Sequence, residues 1–191
     1  MQKNRFEGAE IDFDGESFVR RLLNELTDVL QDVIGYEEAR GFIAIVGARI
    51  GDAFNAAYCR VAGDRALTRE EAADAMVDLK HRIGGAFQVV EQSDAEILLE
   101  NTRCPFGDSV RGRPTLCMMT SNVFGRIAAE NLGYAKVAIE EAIATGENRC
   151  LVRVMLKNSK QRTSTAGREY FRVGSQRETG VEVGKVASPK Q

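Results

Sequence analysis

The hydrophobic period of this chain changes once, at Gly84-Gly85, and that change constrains the fold more than any other feature. Before it, apolar residues recur at helical spacing. Phe18, Leu22, Leu26, Val29 and Val33 lie 4, 4, 3 and 4 positions apart, and Val19, Leu23, Leu30 and Ile34 widen the stripe. A face of that width covers a core or pairs with a copy of itself. We read it as covering the core. Gly35 is a natural helix stop, and a second helix follows over about 36–61 through Ile43, Val46, Ile50, Phe54 and Tyr58. Gly41, Gly47 and Gly51 weaken that helix by roughly 1 kcal/mol each relative to Ala, which points to another backbone packing closely. A phosphate loop does not fit, because Gly47-Ala-Arg-Ile-Gly51 lacks the Gly-Lys-Ser/Thr ending and a preceding strand. Thr68-Arg-Glu-Glu71 has the form of a capping box opening a third helix to about Ile83.

After the glycine pair the runs are short and partly β-branched or aromatic. Ala86–Glu91 and Glu96–Thr102, separated by Gln92-Ser93-Asp94, read as a hairpin. A loop over 103–114 leads to a helix over about 115–131, closed by Gly133. Two further strands, Tyr134–Ala144 and Arg149–Lys157, flank Thr145-Gly146-Glu147-Asn148. This order predicts an α+β fold: N-terminal helices packed on a mainly antiparallel sheet of about four strands, with a helix between the two strand pairs. Residues 1–14 are a polar lead-in, 15–157 one domain, and 158–191 a polar, mobile tail in which Arg168-Glu-Tyr-Phe-Arg172 could dock locally.

Of the 191 residues, 43% are hydrophobic and 28% charged, enough for a buried core and too little charge for wholesale disorder. Lys+Arg number 26 against 28 Asp+Glu, a net charge of −2, without the basic excess of a dedicated nucleic-acid binder. No apolar run approaches the roughly 20 residues that span a bilayer, so no membrane partner is expected. The first residues, Met1 to Gly8, have no apolar signal-peptide core, which leads to the expectation of a cytoplasmic protein. In that setting the four cysteines are expected as buried thiols or metal ligands rather than disulfides.

Cys59, among Ala56, Ala57, Tyr58 and Val61, reads as a small buried apolar residue. Cys104, Cys117 and Cys150 each fall at the end of an element: a loop after a strand, the first turn of a helix 13 positions later, and the start of the last strand. An antiparallel arrangement can bring such ends to one sheet edge. Three thiolates together repel unless a cation neutralises them, so these residues are candidate ligands of an iron–sulfur cluster or zinc. A helix N-terminus would lower the Cys117 pKa. There is no Cys-x-x-Cys, and three ordinary semi-buried thiols fit the spacing equally well. A fourth ligand would be Asp108, Glu141, Cys59, water or a small molecule. His81, the single histidine, beside Lys80 and Arg82, reads as solvated or helix-terminal. Glu140 and Glu141 are adjacent on a strand and cannot form a close acid–base pair. Met118, Met119, Phe106, Phe124 and Tyr134 suit a core or the lining of an apolar cavity.

The runs Arg103-Cys-Pro-Phe-Gly-Asp108, Pro114-Thr-Leu-Cys-Met-Met-Thr-Ser-Asn-Val-Phe-Gly-Arg-Ile-Ala-Ala-Glu-Asn-Leu-Gly-Tyr134 and Ala144-Thr-Gly-Glu-Asn-Arg-Cys150 resemble the methanogen output domain of prokaryotic signalling proteins. The resemblance extends more loosely over about 15–157. More distantly, Ala142-Ile-Ala-Thr-Gly-Glu-Asn-Arg-Cys150 is similar to the closing motif of the 4-vinyl reductase domain, a small-molecule-sensing α/β sandwich that often dimerises. The zinc-binding members of that group have cysteine where this chain has Ala142 and glutamate where it has Ile139, so only Cys150 carries over. The Cys-Pro-Phe loop with its second cysteine also resembles the cluster-binding region of the iron–sulfur repressor of the suf operon. That resemblance implies Cys104, Cys117 and Cys150 as cluster ligands, without the repressor's DNA-binding segment. Together these likenesses imply a non-catalytic, cytoplasmic signal-transduction domain that binds a small ligand or a metal cofactor and acts through a homodimer or a partner signalling protein. The alternative they raise is a reductase or tetrapyrrole-handling enzyme.

Overall fold

The computed structural model describes residues 14–158 and 166–173. Most of the expected lead-in and most of the expected tail therefore lie outside the described residues. Three helices open the domain: α1 (Gly15–Ile34), α2 (Tyr36–Val61) and α3 (Arg69–Arg82). The hairpin β1 (Phe87–Gln92) and β2 (Glu96–Asn101) follows, then α4 (Cys117–Leu132), β3 (Tyr134–Glu141), β4 (Cys150–Met155) and β5 (Arg168–Phe171). The class is α+β, as expected. Every strand pairs antiparallel with its neighbours, in the order β1-β2-β4-β3-β5.

The boundaries have local causes. Asp14 caps α1 by accepting from the Ser17 amide at 2.7 Å while the Ser17 hydroxyl accepts from the Asp14 amide at 2.8 Å. Thr68 and Glu71 form the same reciprocal box at α3. Between α1 and α2, Gly35 takes a positive φ of 86° that a side chain would resist. The glycines of α2 serve packing, as the sequence suggests. A Cβ on Gly47 would lie 3.0 Å from Asn122 Cβ, and one on Gly51 would lie 3.1 Å from Val123 Cα, so α2 and α4 touch backbone to backbone. Gly41 has nothing within 4 Å and takes no part in this contact.

Helix α4 is central. It lies between α2 and the sheet, and its Phe124 and Ile127 are fully buried with Met76 and Leu79 of α3 and Ile97, Leu99, Val137, Val152 and Val154 of the strands. Cross-strand ion pairs join the strands: Arg153 bonds Glu140 and Glu96, and Arg149 bonds Glu141 and Glu100. Glu140 and Glu141 thus each have their own arginine, and Glu140 is the extra residue of a bulge between Ile139 and Glu141 in β3. They form no acid–base pair.

Two sequence expectations need correction. The sheet has five strands rather than four, because Arg168–Phe171, within the stretch assigned to the tail, adds an edge strand to β3. Gly125 makes room for it: the Tyr170 ring occupies the space where a Cβ would stand, and its hydroxyl lies 2.9 Å from Ser121 Oγ. The second correction concerns α1, whose apolar stripe does not cover the core. The only buried residues of α1 are Asn24 and Thr27, whereas Leu22, Leu23, Leu26, Val29 and Val33 are 40–75% exposed. The helix is held by its polar face. Asn24 Nδ2 donates to Ser109 Oγ at 2.6 Å, Arg113 Nε donates to Asp28 Oδ1 at 2.7 Å, and Thr115 Oγ1 donates to Gln31 Oε1 at 3.1 Å.

Candidate functional site: a three-cysteine pocket with a buried lysine

Cys104, Cys117 and Cys150 come from the three places the sequence indicates. Cys104 follows β2 in a loop, Cys117 begins α4 and Cys150 begins β4. Register explains the meeting: Asn101, the last residue of β2, pairs with Cys150, so the loop leaving β2 starts beside that sulfur. A short 3-10 turn, Pro114–Leu116, then leads the chain into α4 at Cys117. All three thiols line one apolar cavity with Phe106, Asn101 and Thr120. The cavity is about 30 Å³, room for roughly one water-sized occupant. A satellite core of Val110, Leu116, Ala142, Ile143 and Ala144 closes around it. All four cysteines are free thiols.

The sequence reading missed the residue that sets the electrostatics of this pocket. Lys80, in the last turn of α3, is 3% exposed. Its ammonium donates to Thr120 Oγ1 at 2.8 Å and stands 5.5 Å from the ring centroids of both Phe87 and Phe124. Burial pulls its pKa down to about 8, while Cys104, Cys117 and Cys150 favour its charged form. A signal was present in the sequence. Ala72, Ala73, Met76, Leu79 and Lys80 all fall on the buried face of α3, so Lys80 continues the stripe of Met76 one turn on.

The thiols respond oppositely. Burial pushes Cys117 up to about 12, Cys150 and Cys104 push it further in the same direction, and Lys80 opposes them. Burial also raises Cys104, against the Phe106 backbone amide and Lys80, which favour the thiolate. The expectation that a helix N-terminus lowers the Cys117 pKa is therefore wrong. The preceding 3-10 turn already uses the Cys117 amide, which donates to Pro114 and Thr115 carbonyls, and desolvation outweighs what field remains. Around the sulfurs the polar groups are donors. Ile143 N–H approaches Cys150 Sγ at 3.5 Å and Asn101 Nδ2 approaches it at 3.9 Å.

Other sequence candidates stay outside. The Cys59 thiol donates to Asn131 Oδ1 at 3.5 Å in a different part of the core. Asp108 lines a separate polar cleft that it shares with Cys104, Arg20 and Arg103, and Glu141 is bound by Arg149. His81 sits in the last turn of α3, as expected, with Nε2 2.7 Å from the Phe87 carbonyl. Of the residues considered for an apolar cavity, Phe106 lines this one, whereas Phe124 belongs to the main core. Among the described residues, no three His, Cys, Asp or Glu side chains stand arranged as a ready metal-binding group. The thiols share a cavity without forming a closed cage.

The domain is an antiparallel sheet backed by helices, with three thiols on one small cavity and Cys104 also on a separate polar cleft. The chain belongs to the methanogen output domain 1 family, whose pattern it matches over residues 22–155, and an output domain is a signal-transducing module. No curated protein matches the chain. Among solved structures it is similar to a trafficking protein particle complex subunit 3 from Naegleria fowleri, covalently bound to palmitic acid. The TM-score is 0.51 at 16% identity, covering 74% of this chain and 96% of that one. At that identity the likeness shows a shared fold alone. No helix among the described residues is long and apolar enough to cross a membrane.

Proposed function

We propose that this output domain is a sensor whose three cysteines hold a metal centre: zinc, which the cavity admits as it stands, or an iron–sulfur cluster, for which the loop bearing Cys104 would have to open. The observation that carries the reading is the chemistry gathered around one cavity: Cys104, Cys117 and Cys150 line it, the buried Lys80 ammonium behind Thr120 is near enough for all three to favour its charge, and the Ile143 and Asn101 N–H groups approach Cys150 Sγ. Donors around sulfur favour thiolate over thiol, and thiolates are what soft metals bind. Burial raises Cys104 and Cys117, so a metal bound there would displace their protons and bring the sulfurs together.

The signal would leave through the segment between Cys104 and Cys117. Residues Ser109, Arg113 and Thr115 of that segment are the ones that grip Asn24, Asp28 and Gln31 of α1. Tying the segment to Cys150 would restrict it, and α1 is the element that would register the restriction. A tetrapyrrole-handling enzyme is poorly served by this pocket, because small-molecule sites run to roughly 300–1,000 Å³ and this one is about 30 Å³.

The test is metal analysis with an absorption spectrum of anaerobically prepared protein, wild type beside Cys104→Ser, Cys117→Ser and Cys150→Ser. The expected result is a stoichiometric metal in wild type and loss in each variant, with far-UV circular dichroism unchanged. A wild-type protein that takes up neither zinc nor iron with sulfide, or variants that keep the wild-type metal content, would remove the proposal.

A further inference from the structure

We infer that the polar cleft beside Cys104 binds a small organic anion, one bearing phosphate or carboxylate groups, held by Arg103 and Arg111. The cleft is a different space from the three-cysteine cavity, and the inference does not rest on a metal. Its volume is about 470 Å³, within the roughly 300–1,000 Å³ of small-molecule sites. Separate parts of the chain wall it. Helix α1 supplies Arg20, the segment between β2 and α4 supplies Arg103 and Arg111, and the β3–β4 connection supplies Asn148.

The charges decide what fits. The guanidiniums of Arg20, Arg103 and Arg111 line the cleft against the carboxylates of Glu16 and Asp108, three positive charges to two negative. Arg20 and Glu16 bond each other at 3.1 Å, one turn apart on α1. Arg103 and Arg111 form no ion pair among the described residues, and Arg111 reaches only the Glu147 carbonyl, at 3.5 Å. By contrast, Arg65, Arg69, Arg113, Arg149 and Arg153 each meet a carboxylate of the domain. Two unmatched guanidiniums on one concave surface repel each other until an anion lies between them, and their planar forks match the paired oxygens of carboxylate and phosphate. The site also touches both parts of the sensor. A Cβ on Gly107, whose φ is 68°, would stand 3.3 Å from Arg20 Nη1, so the α1 cation lies against the loop that carries Cys104. Of the three thiols, only Cys104 lines the cleft as well as the inner cavity. An anion gripped there ties α1 to the cysteine-bearing segment and covers one side of Cys104.

Calorimetric titration of the full, metal-free chain with glycerol phosphate, and separately with succinate, tests this. At least one probe is expected to bind, and the two arms distinguish a phosphate ligand from a carboxylate one. Arg103→Gln and Arg111→Gln are each expected to weaken binding about tenfold, the loss of one charged hydrogen bond. Both side chains are exposed, so circular dichroism should not change. Arg60→Gln, exposed on α2 and not part of the cleft, is expected to bind as wild type does. Saturating ligand is expected to slow alkylation of Cys104 by neutral iodoacetamide several-fold, followed by mass spectrometry, and to leave Cys59 unchanged. Binding of neither probe, or binding that survives both cleft substitutions, overturns the site. Binding that leaves Cys104 as reactive as in the free protein overturns its place beside that thiol. Every readout is taken without metal, so this inference and the metal-centre reading fail independently.

Discussion

Lys80 Nζ donates to Thr120 Oγ1 at 2.8 Å, so a cation from the end of α3 is fixed one turn into α4 from Cys117. The contact holds a charge where water cannot screen it and where three sulfurs can. In the metal-free protein that charge is a liability. Between its ordinary value of 10.5 and its folded value of about 8, the lysine loses roughly 3 kcal/mol of stability at neutral pH, at 1.36 kcal/mol per unit.

Lys80→Met is therefore expected to raise the stability of the metal-free protein at pH 7, by up to about 3 kcal/mol, and to lower metal affinity by removing the counter-charge. Chemical denaturation with and without metal measures both. A variant that is destabilised when metal-free, or that binds metal as tightly as wild type, contradicts this role.

The pH dependence of metal-free stability follows from opposite signs. Below pH 8 the Lys80 penalty is complete. From 8 towards 10.5 the unfolded chain holds more protons than the folded one at this residue, so stability rises with pH. Above pH 9 the unfolded cysteines ionise while folded Cys117, pushed up to about 12, does not, and Cys104 moves the same way. Stability then falls with pH, and Tyr58, also raised to about 12, adds to the fall above 10. The expected profile has its maximum near pH 9 in denaturation measured from pH 7 to 11. In Lys80→Met the rise disappears, and a wild-type profile falling steadily from pH 8 would contradict the assignment.

Gly125→Ala is expected to displace the fifth strand. Its methyl would overlap the Tyr170 ring, so the ring and β5 must move. Overpacking of this kind costs about 1–3 kcal/mol. Hydrogen exchange should accelerate at Arg168–Phe171 and at the edge of β3, and protection equal to wild type would show that β5 does not depend on this contact.

Asp28→Ala should couple two segments distant in sequence. Asp28 and Arg113 are 36% and 27% exposed, so their loss is worth about 1 kcal/mol after allowance for screening. Amide exchange is expected to rise together in the second half of α1 and in residues 107–116. Faster exchange in α1 alone would mean that the helix does not read the cysteine-bearing segment.

Much of this architecture was visible in the residues because each signal is local. Gly35 between two helical stripes, the Thr68/Glu71 box and the change of period after Gly84 need no tertiary knowledge. That Cys104, Cys117 and Cys150 line one cavity has a similar cause: all three stand at element ends, and antiparallel pairing brings such ends together. What eluded the sequence depends on partners. The stripe of α1 states that one face is apolar without saying whether core or another molecule receives it, and here Asp28 and Asn24 turned it outward. Arg168–Phe171 is four residues long in a polar context, and only the space above Gly125 makes it a strand. Lys80 sat on the buried face of α3 but stood beside His81 and Arg82, and its neighbours masked its position. The Cys117 pKa followed desolvation, which spacing does not encode.

X-ray absorption at the metal edge of anaerobically reconstituted protein tests the central claim most directly. Bound metal is expected to show a shell of three sulfur scatterers, near 2.3 Å for zinc, that falls in number in Cys104→Ser, Cys117→Ser and Cys150→Ser. A shell of oxygen and nitrogen alone, or one unchanged by all three substitutions, would contradict it.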